Sequence, residues 1–344
     1  MPIQWTNQRP NVNNRRIING EDADVIQLFP LKHTFAWDAY HVGNANHWLP
    51  TEINMQNDVE QWRSNNVLSE EERHAFKTVL GFFTTADSIA ANNIVIAMYP
   101  HITSPEVRMF LLRQGYEEAI HTQAYQHIVQ TLGLDEGEIF NMYREVEAIY
   151  NKDAFVLSFN EGVFAKDFKT GTLENDQKFL ENMVIFSLIM EGIFFYSSFA
   201  VILGFQRQNK LPGSAEQIQY IMRDESAHLN FGINLINAIK EENPHLWTPE
   251  FQARTIQLVK HAVELEYTFA STVFPKGIFG LTADGFRAYI QYIADKRLNA
   301  IGLPSQYNNA NPFPWMSEAI DLRKEKNFFE TRVVEYQTGG SLEW

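Results

Sequence analysis

The sequence predicts an all-α protein built from long helices packed as a bundle. Apolar residues recur at helical spacing along most of the chain, and the strict alternation that is typical of strands is rare. Capping residues also mark several helix ends. In Ser104-Pro105-Glu106 the serine is a good N-cap and the proline suits the first helical position, while Gly133 is a natural stop for that helix.

Ten helices are expected between residues 34 and 299. Ser69 and Glu72 have the spacing of a capping box, so a long helix should begin there and end before Pro100. The chain is irregular before residue 34 and again from Asn308, where a short helix precedes the C-terminal residues. The expected helices cover 34–42, 50–63, 69–98, 104–132, 136–149, 153–166, 174–205, 213–241, 249–271 and 282–299.

Length and composition narrow the class of protein. The 344 residues can bury a large core, and no low-complexity linker divides 1–320, so we expect one helical domain over 1–320 and a flexible tail over 321–344. A net charge of −14 argues against a nucleic-acid partner. The absence of cysteine excludes disulfides, thiolate metal sites and a cysteine nucleophile. The first residues do not resemble a secretory signal, so a cytoplasmic location is expected.

One apolar segment, residues 183–205, is long enough to cross a bilayer. Its only charge is Glu191, near the middle; no cluster of Lys or Arg flanks it, and no second segment of this kind is expected. A buried core helix has the same composition, and we expect no membrane association. Glu191 should then be protonated, paired or bound to a metal, because burying a lone carboxylate costs several kcal/mol.

Glu-x-x-His pairs are the chain's most informative motif, because residues three apart share a helix face. There are four matches. Glu71/His74 lies in a charged first turn, and Glu242/His245 contains a proline, so both are interpreted as solvated surface. The two remaining pairs, Glu118/His121 and Glu225/His228, lie within long predicted helices.

Two further carboxylates give these pairs a common centre. Asp87 is the only charge on an apolar stripe of its helix, as Glu191 is in its own. Asp87 precedes Glu118 by 31 residues and Glu191 precedes Glu225 by 34, and each interval fits one helix, a turn and the returning helix. Four such helices, folded antiparallel, would place six side chains around one point, as in di-iron and di-manganese carboxylate bundles. The expected ligands are Asp87, Glu118, His121, Glu191, Glu225 and His228.

Charge balance supports a metal at this centre. Four carboxylates would repel one another, and two divalent cations would neutralise them. Oxygen-rich ligands with some imidazole suit iron or manganese better than a structural zinc site. We expect a dinuclear centre, with two iron ions favoured and Mn/Fe or Mn/Mn as alternatives.

In these residues the chain resembles the small, radical-generating (beta) subunit of class I ribonucleotide reductase, a ferritin-like bundle with additional helices. The resemblance covers nearly the whole chain. Its motifs are Trp48-x-Pro50-x-Glu52, Asp87-Ser88-Ile89, Glu118-x-x-His121-x-x-x-Tyr125, Glu191 with Phe195-Tyr196-x-x-Phe199, Arg223-Asp224-Glu225-x-x-His228, and Asn327-Phe328-Phe329-Glu330-Thr331-Arg332-Val333-x-Glu335-Tyr336.

The resemblance implies that the metal pair reacts with oxygen, or with an oxidant derived from it, and that Tyr125 is oxidised to a stable radical. Phe195, Phe199 and Ile221 match the apolar pocket that protects such a radical. Some relatives of the chlamydial type carry phenylalanine where Tyr125 stands and use a manganese–iron cluster, and a dimanganese subclass retains the tyrosine without using it. The metal and the radical's location are therefore open at this point.

The resemblance also implies how the oxidising equivalent leaves. His121, Asp224 and Trp48 would form the inner end of a radical-transfer path, and Tyr336 would relay it to the large (alpha) subunit, to which the tail docks. Ribonucleotides would be reduced to deoxyribonucleotides on that subunit, because this chain has no cysteine to supply a thiyl radical. A homodimer is expected, and a flavoprotein activase is possible.

Two alternative functions share the ligand set. A ligand-binding dimetal oxidase or monooxygenase would not need Trp48, Asp224 or a tyrosine-bearing tail. A non-enzymatic iron-storage bundle would be shorter and would lack the pocket around Tyr125.

Overall fold

The structure, a computed structural model, describes residues 12–20 and 27–317. Over these residues the chain is helical and forms no strand, with only two isolated bridges, Ile18 to Ile102 and Ile278 to Leu281. The all-α prediction is therefore confirmed for this part of the chain. The α-helices are α1 (Thr34–Ala45), α2 (Gln56–Arg63), α3 (Glu70–Asn92), α4 (Pro105–Leu132), α5 (Glu136–Glu145), α6 (Glu147–Ser158), α7 (Asn160–Val163), α8 (Leu173–Met183), α9 (Phe195–Arg207), α10 (Pro212–Glu242), α11 (Pro249–Val273) and α12 (Ala283–Ala300).

Helix starts that carry a capping signal lie where the sequence places them. Ser69 and Glu72 form the expected capping box, and Ser104 caps α4 by accepting a hydrogen bond from the amide of Val107. Gly133 ends α4 in the left-handed conformation, with φ of 67°, which a residue without a Cβ adopts at little cost.

Two sets of predicted boundaries are wrong. The helix expected over 50–63 is a 3-10 turn at Pro50–Glu52 followed by α2. The helices expected over 136–149 and 153–166 divide at Val146, whose extended backbone (φ −106°, ψ 105°) separates α5 from α6. Neither break carries a glycine, and neither has a proline where the helix stops, so neither shows a local signal in the sequence.

The two most apolar helices are not regular α-helices throughout. A π-helical stretch, Asn93–Met98, continues α3, and a longer one, Val184–Phe194, joins α8 to α9. Hydrogen bonds in a π-helix span five residues instead of four, and such stretches are frequent at functional sites. Glu191 lies in the longer stretch, every residue of which is buried.

These π-containing helices form the centre of the bundle. α3 packs against α4 and α9, while α10 packs against α9 and the π-helical stretch before it. α1 covers α4 and α10, and α11 and α12 pack on each other and on the same π-helical stretch. The middle of the bundle is therefore enclosed by helices on all these sides.

Within residues 12–20 and 27–317, two helices are long and apolar enough to cross a membrane, Glu70–His101 and Leu173–Arg207. The apolar window of the second is entirely buried within the protein, as expected for a core helix. The expectation that no second segment of this kind exists is wrong, because Glu70–His101 also qualifies, with two thirds of its window buried.

A buried ion pair joins α6 to α11. Nζ of Lys152 lies 2.8 Å from Oε2 of Glu266, and both side chains are almost fully buried. Nζ also faces the rings of Phe82, Phe269 and Phe194, at 3.4, 3.9 and 4.7 Å from their centroids. The hydroxyl of Ser197 on α9 donates a hydrogen bond to the same glutamate. The ion pair and this hydrogen bond together therefore link three helices, α6, α9 and α11.

A second buried carboxylate fixes the start of α10. Leu211, the residue before this helix, has a positive φ of 47° and offers no side-chain cap. Asp58 on α2 takes that role, because its two oxygens accept hydrogen bonds from the amides of Gly213 and Ser214, each at 2.7 Å.

Candidate metal centre

The six predicted ligands converge in the middle of the bundle. Asp87 comes from α3, Glu118 and His121 from α4, Glu191 from the π-helical stretch, and Glu225 and His228 from α10. All six side chains are buried. Their donor atoms form two groups, each with atoms within 4.8 Å of one another, and Glu118 belongs to both. The groups are Asp87, Glu118 and His121, and Glu118, Glu191, Glu225 and His228.

Two carboxylates lie between the two imidazoles. Glu118 places one oxygen 3.6 Å from Nδ1 of His121 and the other 3.3 Å from Nδ1 of His228. Glu225 repeats this arrangement, with oxygens at 3.2 Å and 3.4 Å from the same two nitrogens. The ring centroids are 5.9 Å apart. Glu118 and Glu225 therefore each face both imidazoles, and both would help to hold a pair of metal ions.

The inward-facing atoms have no hydrogen-bond partner among the described residues. They are both carboxylate oxygens of Asp87, Glu118 and Glu225, Oε2 of Glu191, and Nδ1 of both histidines. Buried polar atoms are nearly always satisfied, and leaving one unpaired costs about 1–3 kcal/mol. A concentration of such atoms around one point fits cations that would take them as ligands.

The electrostatics of the cluster also favour added positive charge. Burial and the neighbouring carboxylate of Glu118 raise the pKa of Asp87 well above its usual value, and burial and Glu225 do the same for the pKa of Glu191. Burial alone would lower the pKa of His121, but the surrounding carboxylates raise it well above its usual value. If all four carboxylates were ionised, they would carry more negative charge than the two imidazoles could balance, and divalent iron or manganese accepts this oxygen-rich donor set.

The outer nitrogen of His121 faces the predicted transfer path. Nε2 of His121 lies 3.4 Å from Oδ2 of Asp224, and the same oxygen accepts a hydrogen bond of 2.8 Å from the indole N–H of Trp48. The guanidinium of Arg223 donates to the other oxygen of Asp224. The indole stacks on the ring of Tyr220 at 5.1 Å. The structure therefore brings Trp48, Asp224 and His121 together, as the resemblance implied.

The outer nitrogen of His228 has a partner that the sequence analysis missed. Nε2 of His228 lies 2.7 Å from Oε2 of Glu117, and Arg113 donates to the other oxygen of that glutamate at 3.1 Å. Gln114 on the same helix donates to Glu191 at 2.8 Å. A signal for Glu117 exists in the sequence, because an acidic residue precedes the glutamate in both Glu-x-x-His pairs.

Tyr125 is fully buried on α4, four residues after His121. Its ring stacks on Phe83 with a centroid separation of 5.3 Å and an interplanar angle of 1°. Its hydroxyl has no hydrogen-bond partner within the described part of the chain. Burial and the charge of Asp87 raise the pKa of Tyr125 well above its usual value, so the phenol is neutral.

The apolar surroundings of Tyr125 differ in detail from the expectation. Phe83, four residues before Asp87 on α3, makes the ring contact, although it was not among the pocket residues that the resemblance implied. Two of the expected pocket residues, Phe195 and Phe199, pack against Phe83 with centroids at 6.0 and 5.3 Å. Ile221 is buried on α10.

The two rejected Glu-x-x-His pairs lie outside this cluster. Glu71 pairs with Lys276 at the surface, as expected. Glu242 is only partly exposed, so the solvated-surface interpretation is wrong for this residue. It accepts a hydrogen bond of 3.0 Å from Nε2 of buried His33, whose Nδ1 contacts Ser104.

Tyr336 and the tail predicted over 321–344 lie outside the described residues.

Comparisons with known proteins identify relatives of this arrangement. Residues 25–312 match the family model described as "Ribonucleotide reductase, small chain". A ribonucleoside-diphosphate reductase subunit beta from Chlamydia pneumoniae is 52% identical over 98% of this chain and 97% of its own length. A ribonucleoside-diphosphate reductase small chain 1 from Saccharomyces cerevisiae is 32% identical over 94% of this chain and 76% of its own. A ribonucleotide reductase R2 subunit from Clostridium botulinum has a similar structure, with a TM-score of 0.83 at 30% identity, over 93% of this chain and 98% of that chain.

Proposed function

Because the chain belongs to the family of ribonucleotide reductase small chains, we propose that it is the beta subunit of a ribonucleoside-diphosphate reductase and generates its radical at Tyr125. The fold is the ferritin-like bundle expected for this oxidoreductase. The observation that carries the proposal is the set of buried, unpaired donor atoms that face one another across two bridging carboxylates. The oxidase and iron-storage alternatives gain no support from the comparisons.

Six residues of this chain would hold the metal pair. Asp87 and His121 would bind one ion, Glu191 and His228 the other, and Glu118 and Glu225 would bridge them. When bound, the pair supplies the oxidising equivalent drawn from oxygen or an oxidant derived from it. Two iron ions remain our preferred assignment, with Mn/Fe or Mn/Mn as alternatives, because all these ions accept the same ligands.

Tyr125 would lose one electron and its hydroxyl proton. Asp87 is suited to accept that proton, because its carboxylate acts on this hydroxyl. The stacked ring of Phe83 and the burial of the site would exclude water and reductants from the oxidised phenol. The radical would therefore persist until the large subunit requires it.

The contact from His121 through Asp224 to Trp48 supports an exit for the oxidising equivalent. Asp224 accepts a hydrogen bond from the indole N–H and faces the outer nitrogen of the imidazole, so it would keep both rings oriented. Beyond Trp48 we propose that Tyr336 relays the radical to the large subunit, to which residues 321–344 dock. Nucleotide reduction would take place on that partner, because this chain has no cysteine to supply a thiyl radical.

An exposed apolar patch supports the expected homodimer. Val95 and Ile96 in the π-helical stretch that continues α3, and Leu112 and Tyr116 on α4, are all about half exposed. A side chain at Gly115 would lie within 4.0 Å of Val95, so the two helices meet here and form one surface. Apolar patches of this kind mark protein interfaces. A cytoplasmic location is a further part of the proposal, and a flavoprotein activase is kept as a candidate partner.

Metal analysis combined with electron paramagnetic resonance tests the proposal. Wild-type protein loaded with iron and exposed to oxygen should contain two ions per chain and show a tyrosyl signal. Tyr125→Phe should keep both ions and lose the signal. Tyr289→Phe is the matched control, because Tyr289 is also buried but lies on α12. A tyrosyl signal that persists in Tyr125→Phe, or fewer than two ions in wild type, would contradict the proposal.

A further inference from the structure

We propose that Glu117, held by Arg113, is the positioning residue for His228. It would determine how tightly the metal ion at Glu191 and His228, here called the second ion, is retained. This inference rests on the proposed function, because it assumes a centre that holds two ions. It concerns the half of the centre built from Glu191 and His228, on the side away from Trp48.

In each half of the centre, the outer nitrogen of the histidine contacts a carboxylate that belongs to the other helix. Glu117 precedes the metal-facing Glu118 on α4, yet it contacts His228 of α10. Asp224 precedes Glu225 on α10, yet it contacts His121 of α4. Adjacent residues on a helix point about 100° apart, so the residue before each bridging glutamate turns towards the neighbouring helix. Each helix therefore orients the imidazole that the other supplies.

The two outer contacts differ in strength. Oε2 of Glu117 lies 2.7 Å from Nε2 of His228, and that nitrogen is its only hydrogen-bonding neighbour in the part of the chain that the structure describes. Oδ2 of Asp224 is 3.4 Å from Nε2 of His121 and is also engaged at 2.8 Å by the indole of Trp48. Since Glu117 meets its imidazole at the shorter distance, we expect it to fix His228 more firmly than Asp224 fixes His121.

Arg113 and α1 keep Glu117 in place. Nε and Nη2 of Arg113 lie 3.1 and 3.0 Å from Oε1 of Glu117, which leaves Oε2 for His228. The same Nη2 donates to the carbonyl oxygen of Gly43 at 2.9 Å. A Cβ at Gly43 would lie only 3.0 Å from Oε1 of Glu117, so α1 confines this carboxylate from the other side.

This arrangement fixes the orientation of the His228 ring. With Nε2 engaged by Glu117, Nδ1 faces the bridging oxygens of Glu118 and Glu225, at 3.3 and 3.4 Å. A carboxylate on the outer nitrogen of a metal-binding histidine also strengthens the inner nitrogen as a donor, and its loss typically weakens metal binding by about 10–100-fold. We expect that loss to fall on the second ion, because Glu117 makes no contact with His121.

The test is a titration of metal-free protein with Mn²⁺, in which electron paramagnetic resonance measures the free ion. Wild type should bind two ions per chain. Glu117→Gln should bind the first ion with wild-type affinity and the second at least about tenfold more weakly, and Glu117→Ala should weaken the second ion further. Glu106→Gln is the matched control, because Glu106 is a buried glutamate of the same helix that contacts His33 instead of the centre.

Thermal unfolding of each variant would show whether it is folded before metal is added. Unchanged affinity for the second ion in folded Glu117→Gln and Glu117→Ala would overturn the inference, as would equal weakening of both ions. The same loss in Glu106→Gln would also overturn it, because the effect would then follow from helix stability. A wild type that fails to bind two ions would instead refute the proposed function.

Discussion

Replacing Lys152 with methionine should destabilise the protein substantially, although this residue lies outside the proposed metal centre. Its ammonium is the counter-charge of Glu266 at 2.8 Å, and both groups are buried. Burial lowers the pKa of Lys152 and raises the pKa of Glu266, because it disfavours the charged form of both side chains. The charge of each residue opposes this effect by stabilising the charged form of the other. Without the lysine, Glu266 keeps only the hydroxyl of Ser197 as a hydrogen-bond donor among the described residues.

The expected cost follows from the burial of both partners. Removing one member of a buried ion pair typically costs about 3–5 kcal/mol, because the remaining charge stays buried. At roughly 2 °C per kcal/mol for a long chain, the melting temperature should fall by roughly 6–10 °C. The methionine keeps the apolar contact with the three phenylalanine rings, so the loss reports mainly on charge.

Differential scanning calorimetry on Lys152→Met, Glu266→Met and the double variant would measure this effect. The double variant should recover much of the loss, because replacing a whole buried pair by apolar groups is often neutral. Lys178→Met is the control, since Lys178 forms an exposed ion pair with Glu174, and such pairs contribute little. A melting temperature within about 1 °C of wild type for Lys152→Met, or strictly additive losses in the double variant, would refute the reasoning.

Three further predictions concern other contacts. Asp58→Ala should cost about 1–2 kcal/mol, measured by chemical unfolding, because it leaves the first amides of α10 without a cap; full stability would show that water replaces the carboxylate. Burial lowers the pKa of His33, but the hydrogen bonds and charges of Glu106 and Glu242 outweigh it, so the net pKa is raised. The contribution of His33 to stability is therefore complete below the pKa of about 6.5 that histidine has in an unfolded chain, and it is lost as pH rises through the higher pKa of the folded state. The melting temperature of His33→Gln should lack this pH dependence. Phe83→Leu should shorten the lifetime of the Tyr125 radical, followed by decay of its resonance signal, and an unchanged lifetime would mean that the stacked ring does not protect it.

The fold could be predicted from the sequence where helix ends carry chemical signals. Ser69, Ser104 and Gly133 act locally, through their own side chain or lack of one, so the pattern and the structure agree. The break at Val146 has no such signal, because it depends on how α5 and α6 pack on other helices. The π-helical stretch Val184–Phe194 is equally hidden, because it is apolar all round and that composition also suits a regular α-helix.

The candidate site was predictable for a similar reason. The three-residue spacing within each Glu-x-x-His pair determines a common helix face without knowledge of any other helix. Glu117 and Phe83 do not follow from spacing alone. Their roles depend on which neighbouring helix lies beside them, and that becomes known only when α4 is packed against α10 and α3.

The π-helical stretch Val184–Phe194 also limits how the length of this chain can change. A turn closed over five residues contains more chain than an α-helical turn of the same height. Deleting one residue there would allow a regular α-helix, and the residues that remain would still be apolar. Side chains beyond the deletion would nevertheless rotate by about 100° relative to those before it. Glu191 and Phe195 would then no longer face the same neighbours together. Substitutions between apolar residues should be tolerated in this stretch, whereas a gap or an insertion should not, and sequence alignments of relatives should keep its length constant.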